Sequence, residues 1–484
     1  MTTSNNHSLR PLSFALGLAI LFVSLTAMAA DDGGTPAPAA AQPALRAGFA
    51  RTDITPPLGA EVPGGFAKSF NKGVHDPLWV EAACFDNGTA KLAVVGVDLI
   101  MIPADVVNAA RTQAQARCGV SAENIMVGAS HTHNGGPVVD CFSVASDPAY
   151  CALAAERIAD TVVKAAESMV AARVGAGSGR EDSVGFNRRF RMKDGTVKTH
   201  PGKMNPDIVE PAGPIDPEVG VIAVEDLEGK FLGCVFNYSL HGTVMGGNLI
   251  SADWPGYVRQ TVRGGMGVDA GVVVLNGACG DVTQVDNRNA RPSEFGEKWC
   301  RRVGMTLGAE ALKVIARVEY SADAPLAVAS KHLMLPIRDL AASDDELLAR
   351  ERPAAGLGTG QEDIYRKEVG LLREIKAKSP NVDVEVQAIQ IGAAAIVSNP
   401  AEYFCALGLA IKKDSPWKPT MVVELVNGYC GYVPTEAAFV EGGYERRTAR
   451  SSYLDPKSGE EIVRASRELL LSLTAGTKPA EAQQ

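Results

Sequence analysis

Two histidines, His131 and His133, stand where an apolar run, Ile125-Met126-Val127-Gly128-Ala129, gives way to Asn134-Gly135-Gly136-Pro137. The run reads as a buried strand, which Gly-Gly-Pro cannot continue. In extended backbone, residues i and i+2 point to the same side, so both imidazoles are expected to project together at a strand tip. Such a pair suits a metal ligand beside a second ligand or a proton-transfer group. In a chain with seven histidines, the pair alone fits a metal site and a coincidence equally.

Further predicted strands end in chemically similar tips. Phe231–Tyr238 runs into Ser239-Leu240-His241-Gly242, and Gly271–Leu275 runs into Asn276-Gly277-Ala278-Cys279-Gly280-Asp281-Val282-Thr283. A strand over Ile389–Val397 ends in Ser398-Asn399-Pro400-Ala401-Glu402, followed by a tyrosine-rich stretch from Asn427 through Tyr432 to Thr435. Zinc takes histidine nitrogen and carboxylate oxygen, and a catalytic zinc keeps one position open for water.

The elements that must hold these tips alternate. Asp76–Cys84 and Lys91–Asp98 read as strands joined by a turn at Asp86-Asn87-Gly88. A helix follows over Pro103–Arg117, then the His-x-His strand, then an Ala-rich amphipathic helix over Tyr150–Ala171. This order predicts an α/β layered fold, central mixed β-sheets flanked by helices, with the site at strand ends. Residues 173–220 carry little periodicity and read as a functional or poorly ordered loop, with Arg188-Arg189-Phe190-Arg191 either a solvated basic turn or a functional group. Strands are expected over 326–337 and 384–397, and charged helices near 343–352 and 361–377. Gly356-Leu357-Gly358-Thr359-Gly360 reads as a turn. The last helix is expected to carry a capping box, Ser458 with Glu461, and an apolar face of Ile462, Val463, Ser466, Leu469, Leu470 and Leu473. No internal repeat is legible.

Composition narrows the partners. Hydrophobic content of 46% against 21% charged is globular, and a net charge of −9 speaks against nucleic acid and anionic membranes. Residues 1–29 read as a signal peptide, with Arg10, an apolar run Leu12–Leu25 and the cleavage pattern Ala27-Met28-Ala29. Export to the periplasm or the exterior is therefore expected, with no transmembrane segment in the mature chain. Residues 30–45 form an Ala/Pro-rich linker and 476–484 a disordered tail. The nine cysteines show no C-x-x-C spacing, although Cys141 and Cys151 could close a short loop. Nothing in the residues speaks to oligomeric state.

Taken in order, Ala129-Ser130-His131-Thr132-His133-Asn134-Gly135-Gly136-Pro137, His241, Gly280-Asp281-Val282-Thr283, Pro400-Ala401-Glu402 and Gly431-Tyr432-Val433-Pro434-Thr435 through Gly442-Gly443-Tyr444-Glu445 resemble the neutral/alkaline non-lysosomal ceramidases. The resemblance is to their N-terminal catalytic domain and covers residues 46–475. It implies a hydrolase with one Zn2+ per chain, acting on an N-acyl amide such as ceramide or a related lipid. By this resemblance His131, His241, Glu402 and Tyr432 hold the metal, and His133 is catalytic. Tyr444, twelve residues past Tyr432, assists the oxyanion. Arg188, with Asn134 and Asn276, is assigned to substrate binding. Thr283 stands where the family carries the serine of Gly-Asp-Val-Ser-Pro, and its hydroxyl suits hydrogen bonding better than attack. The family's C-terminal immunoglobulin-like domain has no expected counterpart, and residues 240–260 keep only part of the pattern. Two other functions stay open: hydrolysis of a polar N-acyl substrate such as an N-acyl sugar, and non-catalytic binding by an exported protein.

Overall fold

The computed structural model describes residues 45–291, 293–342 and 361–476. Within them one order of elements recurs three times: a strand, a hairpin, a helix, a strand parallel to the second hairpin strand, and a closing helix. The first set is β1 (Arg46–Asp53), β2 (Trp79–Asp86), β3 (Lys91–Val97), α1 (Ala104–Cys118), β4 (Ile125–Ala129) and α2 (Pro148–Glu167). The second is β5 (Val170–Arg180), β6 (Glu218–Asp226), β7 (Phe231–Tyr238), α3 (Asp253–Met266), β8 (Gly271–Asn276) and α4 (Glu297–Ile315). The third is β9 (Leu326–Pro336), an inserted helix α5 (Gln361–Lys378), β10 (Asn381–Ile391), β11 (Ala394–Ser398), α6 (Cys405–Lys413), β12 (Thr420–Val423), a short α7 (Glu436–Glu441) and α8 (Ser458–Ser472). What repeats is strand pairing, not side chains, so the residues alone conceal it.

The first two sets share a sheet ordered β8-β7-β6-β5-β1-β2-β3-β4, and the third forms its own, β9-β10-β11-β12. Each set turns one face into a common core: Phe85, Val94 and Met126 meet Ile222, Val235 and Val273, and both meet Ile389, Ile396 and Met421. The opposite faces lie under helices, α1 and α2 on the first set, α3 and α4 on the second, α6 and α8 on the third. Strands such as Lys91–Val97 and Gly271–Asn276 are thereby covered on both sides, which is why they read as continuous apolar runs. The expected α/β layering, with mixed sheets flanked by helices, is what forms. Among the described residues no helix is long and apolar enough to cross a membrane.

The chain departs from the sequence reading where tertiary contacts override local preference. Val170–Arg180, expected as the end of the Ala-rich helix running into a loop from residue 173, is the strand linking the first two sets. It lacks an apolar signature because α4 and the segment after it approach too closely for side chains. A Cβ on Gly175 would stand 2.8 Å from the Glu319 carbonyl, and one on Gly177 2.9 Å from Val318. The Ala-rich helix stops at Glu167, since the Ala172 amide donates to the Leu45 carbonyl at 2.8 Å. The expected strand 389–397 is broken by a turn at Gly392, φ 59°. Helix α8 begins at Ser458 without a side-chain cap, so the capping box does not form, although its predicted apolar face is buried. Arg188 and Arg189 are buried, not a solvated turn. All nine cysteines are free, Cys141 and Cys151 included. The predicted signal peptide, nearly all of the linker and tail, the helix near 343–352 and the glycine turn at 356–360 lie outside the described residues.

The fourth strands of the three sets come together at one end. The extension of β12 bridges to both others, Gly277 with Val423 and Gly128 with Val426. The loops beyond these strand ends build the site.

Candidate metal centre and active site

Each set contributes a tip. From the first, the strand ends at Ala129, and His131 lies in the left-handed region at φ 63°. Strand alternation therefore does not align His131 with His133; a strained turn does. Neighbouring chain holds that turn: the His133 amide donates to the Gly242 carbonyl at 2.9 Å, and Thr132 Oγ1 donates to the Ser251 carbonyl at 2.6 Å. Position 242 has to be glycine, because a Cβ there would stand 2.3 Å from the His131 carbonyl oxygen. The second set supplies His241, three residues past β7, and the third supplies Glu402, four residues past β11. Glu402 and Tyr432 face each other in a short parallel pairing.

His131 Nδ1 donates to the Ile100 carbonyl and His241 Nδ1 to the Cys279 carbonyl, each at 2.7 Å. A carbonyl only accepts, so both rings carry their proton on Nδ1 and turn an Nε2 lone pair inward. Those Nε2 atoms lie 3.4 and 3.6 Å from Glu402 Oε2. The ring nitrogens of His131, His133 and His241 lie within 4.8 Å of one another. His131 Nε2, His133 Nε2 and Glu402 Oε2 are buried without a hydrogen-bond partner. A buried polar atom left unpaired costs about 1–3 kcal/mol. Two histidine nitrogens and a carboxylate oxygen converging in that state fit a cation of zinc type. Tyr432 Oη stands 3.4 Å from His241 Nε2 and Arg188 Nη1 3.3 Å from it, so the metal would share this nitrogen's surroundings with both.

Electrostatics favours the same reading. Burial pushes the Glu402 carboxyl up, but the neighbouring His131 and His241 imidazoles outweigh it and hold the group well below the usual range. Burial, helped by neighbouring His131, lowers His133 to about 3, leaving a neutral ring whose Nε2 lone pair is unpartnered. Burial raises the Tyr432 and Tyr444 hydroxyls, so both stay protonated donors.

These groups border a cavity of about 40 Å3, lined by His131, His133, Glu402, Tyr432 and Tyr444 on one side and by Ile100, Met101 and Phe142 on another. Phe66 lies 4.6 Å from Phe142 and 6.2 Å from Tyr444, centroid to centroid. The remaining predicted residues do not line this cavity. Arg188 is buried below it, with Nε donating to Glu445 Oε1 at 2.8 Å, Nη2 donating to the Gly280 carbonyl at 2.7 Å, and the rings of Tyr432 and Tyr444 above. Asn134 Nδ2 donates to the carbonyls of Gly246, Gly247 and Leu249, pinning that loop. Asn276 Nδ2 lies 3.3 Å from Cys279 Sγ. Thr283 pairs with Phe186, and its Oγ1 accepts from the Val285 amide at 3.4 Å. Sequence reasoning missed Tyr429, whose hydroxyl donates to Glu402 Oε1 at 3.2 Å, and Gly64, packed on the His133 ring. It also missed the Ile100 and Cys279 carbonyls, since backbone acceptors leave no residue-type signal.

No family model matches the chain. Among known proteins, the neutral ceramidase of Pseudomonas aeruginosa is 27% identical over 226 residues, 44% of this chain. The matched stretch spans 32% of that relative's length. The crystal structure of neutral ceramidase from Pseudomonas aeruginosa superposes with a TM-score of 0.66 at 22% identity, over 92% of this chain and 76% of that one. A structure described as ceramidase complexed with C2 gives 0.67 at 20% identity, over 92% and 77%. The chain has the neutral-ceramidase fold. The likeness to the neutral ceramidases, first carried by five short motifs, is thus one of sequence over 44% of the chain and of fold over 92% of it.

Proposed function

We propose that the chain is a zinc-dependent amide hydrolase cleaving an N-acyl amide, ceramide or a related N-acyl lipid, within one catalytic domain over residues 46–475. The observation that carries this is the convergence of partnerless His131 Nε2 and Glu402 Oε2 with His241 Nε2. His131, His241, Glu402 and Tyr432 would hold the zinc, which supplies a Lewis acid that acidifies water and polarises a carbonyl. His133, neutral and with Nε2 unpartnered, takes a proton at that atom and returns it to the departing amine. Tyr444 presents a protonated hydroxyl to the oxyanion that forms on the acyl carbon. Arg188 acts beneath the two tyrosine rings, orienting them and, through Glu445, the turn that carries Tyr444. Asn134, Asn276 and Thr283 act through the loops that wall the substrate. The leader over residues 1–29 supports export to the periplasm or the exterior.

A second reading has its own support. A cavity of about 40 Å3 beside Phe66 and Phe142 favours a compact acyl group, as on an N-acyl sugar, over a long chain. One experiment tests both: metal analysis of protein never exposed to chelator, followed by release of fatty acid from ceramide against release of acetate from N-acetyl sugars. Absence of stoichiometric zinc overturns the metal centre. Stoichiometric zinc with neither product released overturns both substrate readings.

A further inference from the structure

The carboxylate of Glu424 has no part in the chemistry above, yet it is fully buried just past the end of β12. Its Oε2 accepts two main-chain amides, Cys279 N at 3.0 Å and Tyr403 N at 2.8 Å, and its Oε1 accepts from Cys279 Sγ at 2.9 Å. Both fastened segments lead directly to the centre. The Cys279 carbonyl orients His241, and Tyr403 follows Glu402 in the chain. The Gly280 amide in turn donates to the Tyr403 carbonyl at 2.9 Å, closing the two segments on each other. The Glu424 amide donates to the Asn276 carbonyl, which ties the carboxylate to the strand tip it serves. Charge points the same way. Among the described residues, neither Glu402 nor Glu424 has a lysine or arginine ion-pair partner, whereas Arg188 is matched by Glu445. Burial without a cationic partner raises the Glu424 carboxyl to about 7, so a divalent cation nearby is what would hold it ionised.

We propose that Glu424 is a positioning residue of the metal centre: one carboxylate sets the orientation of His241 and the placement of Glu402 together, and adds the second negative charge that balances the ion. The proposal rests on reading the site as a zinc centre. Partners behind metal ligands are typically worth about 10–100-fold in metal affinity. The test compares zinc affinity, by competition with a chromophoric chelator, in the wild-type chain, Glu424→Gln and Glu424→Ala, alongside melting temperatures of zinc-loaded and stripped protein. Glutamine keeps an oxygen for both amides and loses the charge, so its affinity should fall about tenfold, with the stripped form melting as wild type does. Alanine loses both and should fall toward a hundredfold; should it not fold, the glutamine variant carries the test. Wild-type affinity in Glu424→Gln overturns the proposal. So does an equal drop in melting temperature of the loaded and stripped forms, which marks a structural role. A wild-type chain that binds no zinc overturns the underlying reading and this inference with it.

Discussion

Gly64 offers a way to disturb His133 without touching the metal ligands. It lies at φ +105°, and a Cβ built on it would stand 2.4 Å from His133 Nδ1 and 2.9 Å from its Cγ. Ordinary contact begins near 3.4 Å, so in Gly64→Ala the ring and the loop must part by about 1 Å. The ring also loses its hydrogen bond to the Gly64 backbone. A displacement of that size is worth about 10²-fold when a group must meet a reacting atom. The positive φ adds about 1–3 kcal/mol of strain, which falls on stability. His131 and His241 stay anchored on the Ile100 and Cys279 carbonyls, so zinc content should not change. The assay is kcat and KM on an N-acyl amide, with metal analysis and a melting curve. Gly59→Ala is the control, for Gly59 has φ +83° with nothing within 4 Å of its Cβ, so it carries the strain without the collision. A folded Gly64→Ala protein with kcat within twofold of wild type would refute the placement of His133 in proton transfer.

Three further outcomes follow from the same geometry. His131→Ala should lose zinc and activity together, while His133→Ala should keep its zinc and lose about 10²–10⁴ in rate; the reverse pattern in metal analysis would exchange the two roles. Thr283→Ala should keep activity within about tenfold, because its hydroxyl accepts only a 3.4 Å bond from the Val285 amide, and a covalent acyl group trapped on Thr283 would contradict this. Removing metal with a chelator should lower the melting temperature, since buried His131 Nε2 and Glu402 Oε2 regain their unpaired state; ion at a thousandfold over Kd contributes about 4 kcal/mol, and an unchanged melting curve would count against the centre.

Residue types and spacing were enough to establish the α/β class and most strands and helices, and the family resemblance added which side chains to examine for metal and acid–base chemistry. Strand-tip histidines and a strand-tip glutamate stand out by residue type, the two tyrosines twelve apart only through the resemblance, and buried strands show themselves as apolar runs. The threefold order of elements was not legible, because it is a pattern of pairing partners far apart in the chain. Nor was the strand Val170–Arg180, whose glycines make room for a neighbour that the local sequence does not name.

The site divides in the same way. His131 and His133 were found, but for a reason the molecule does not use: the strand stops at Ala129, and their approach depends on a left-handed His131 held by residues 242 and 251. Which Nε2 faces inward is decided by the Ile100 and Cys279 carbonyls, and the segments bearing Cys279 and Tyr403 are fastened by the Glu424 carboxylate. The sequence by itself determined which groups can ligate a metal and move protons, because those capacities belong to side chains. Only the tertiary structure decided which of them share one desolvated point, because three loops from three strand sets must meet there, and long-range packing alone brings them together.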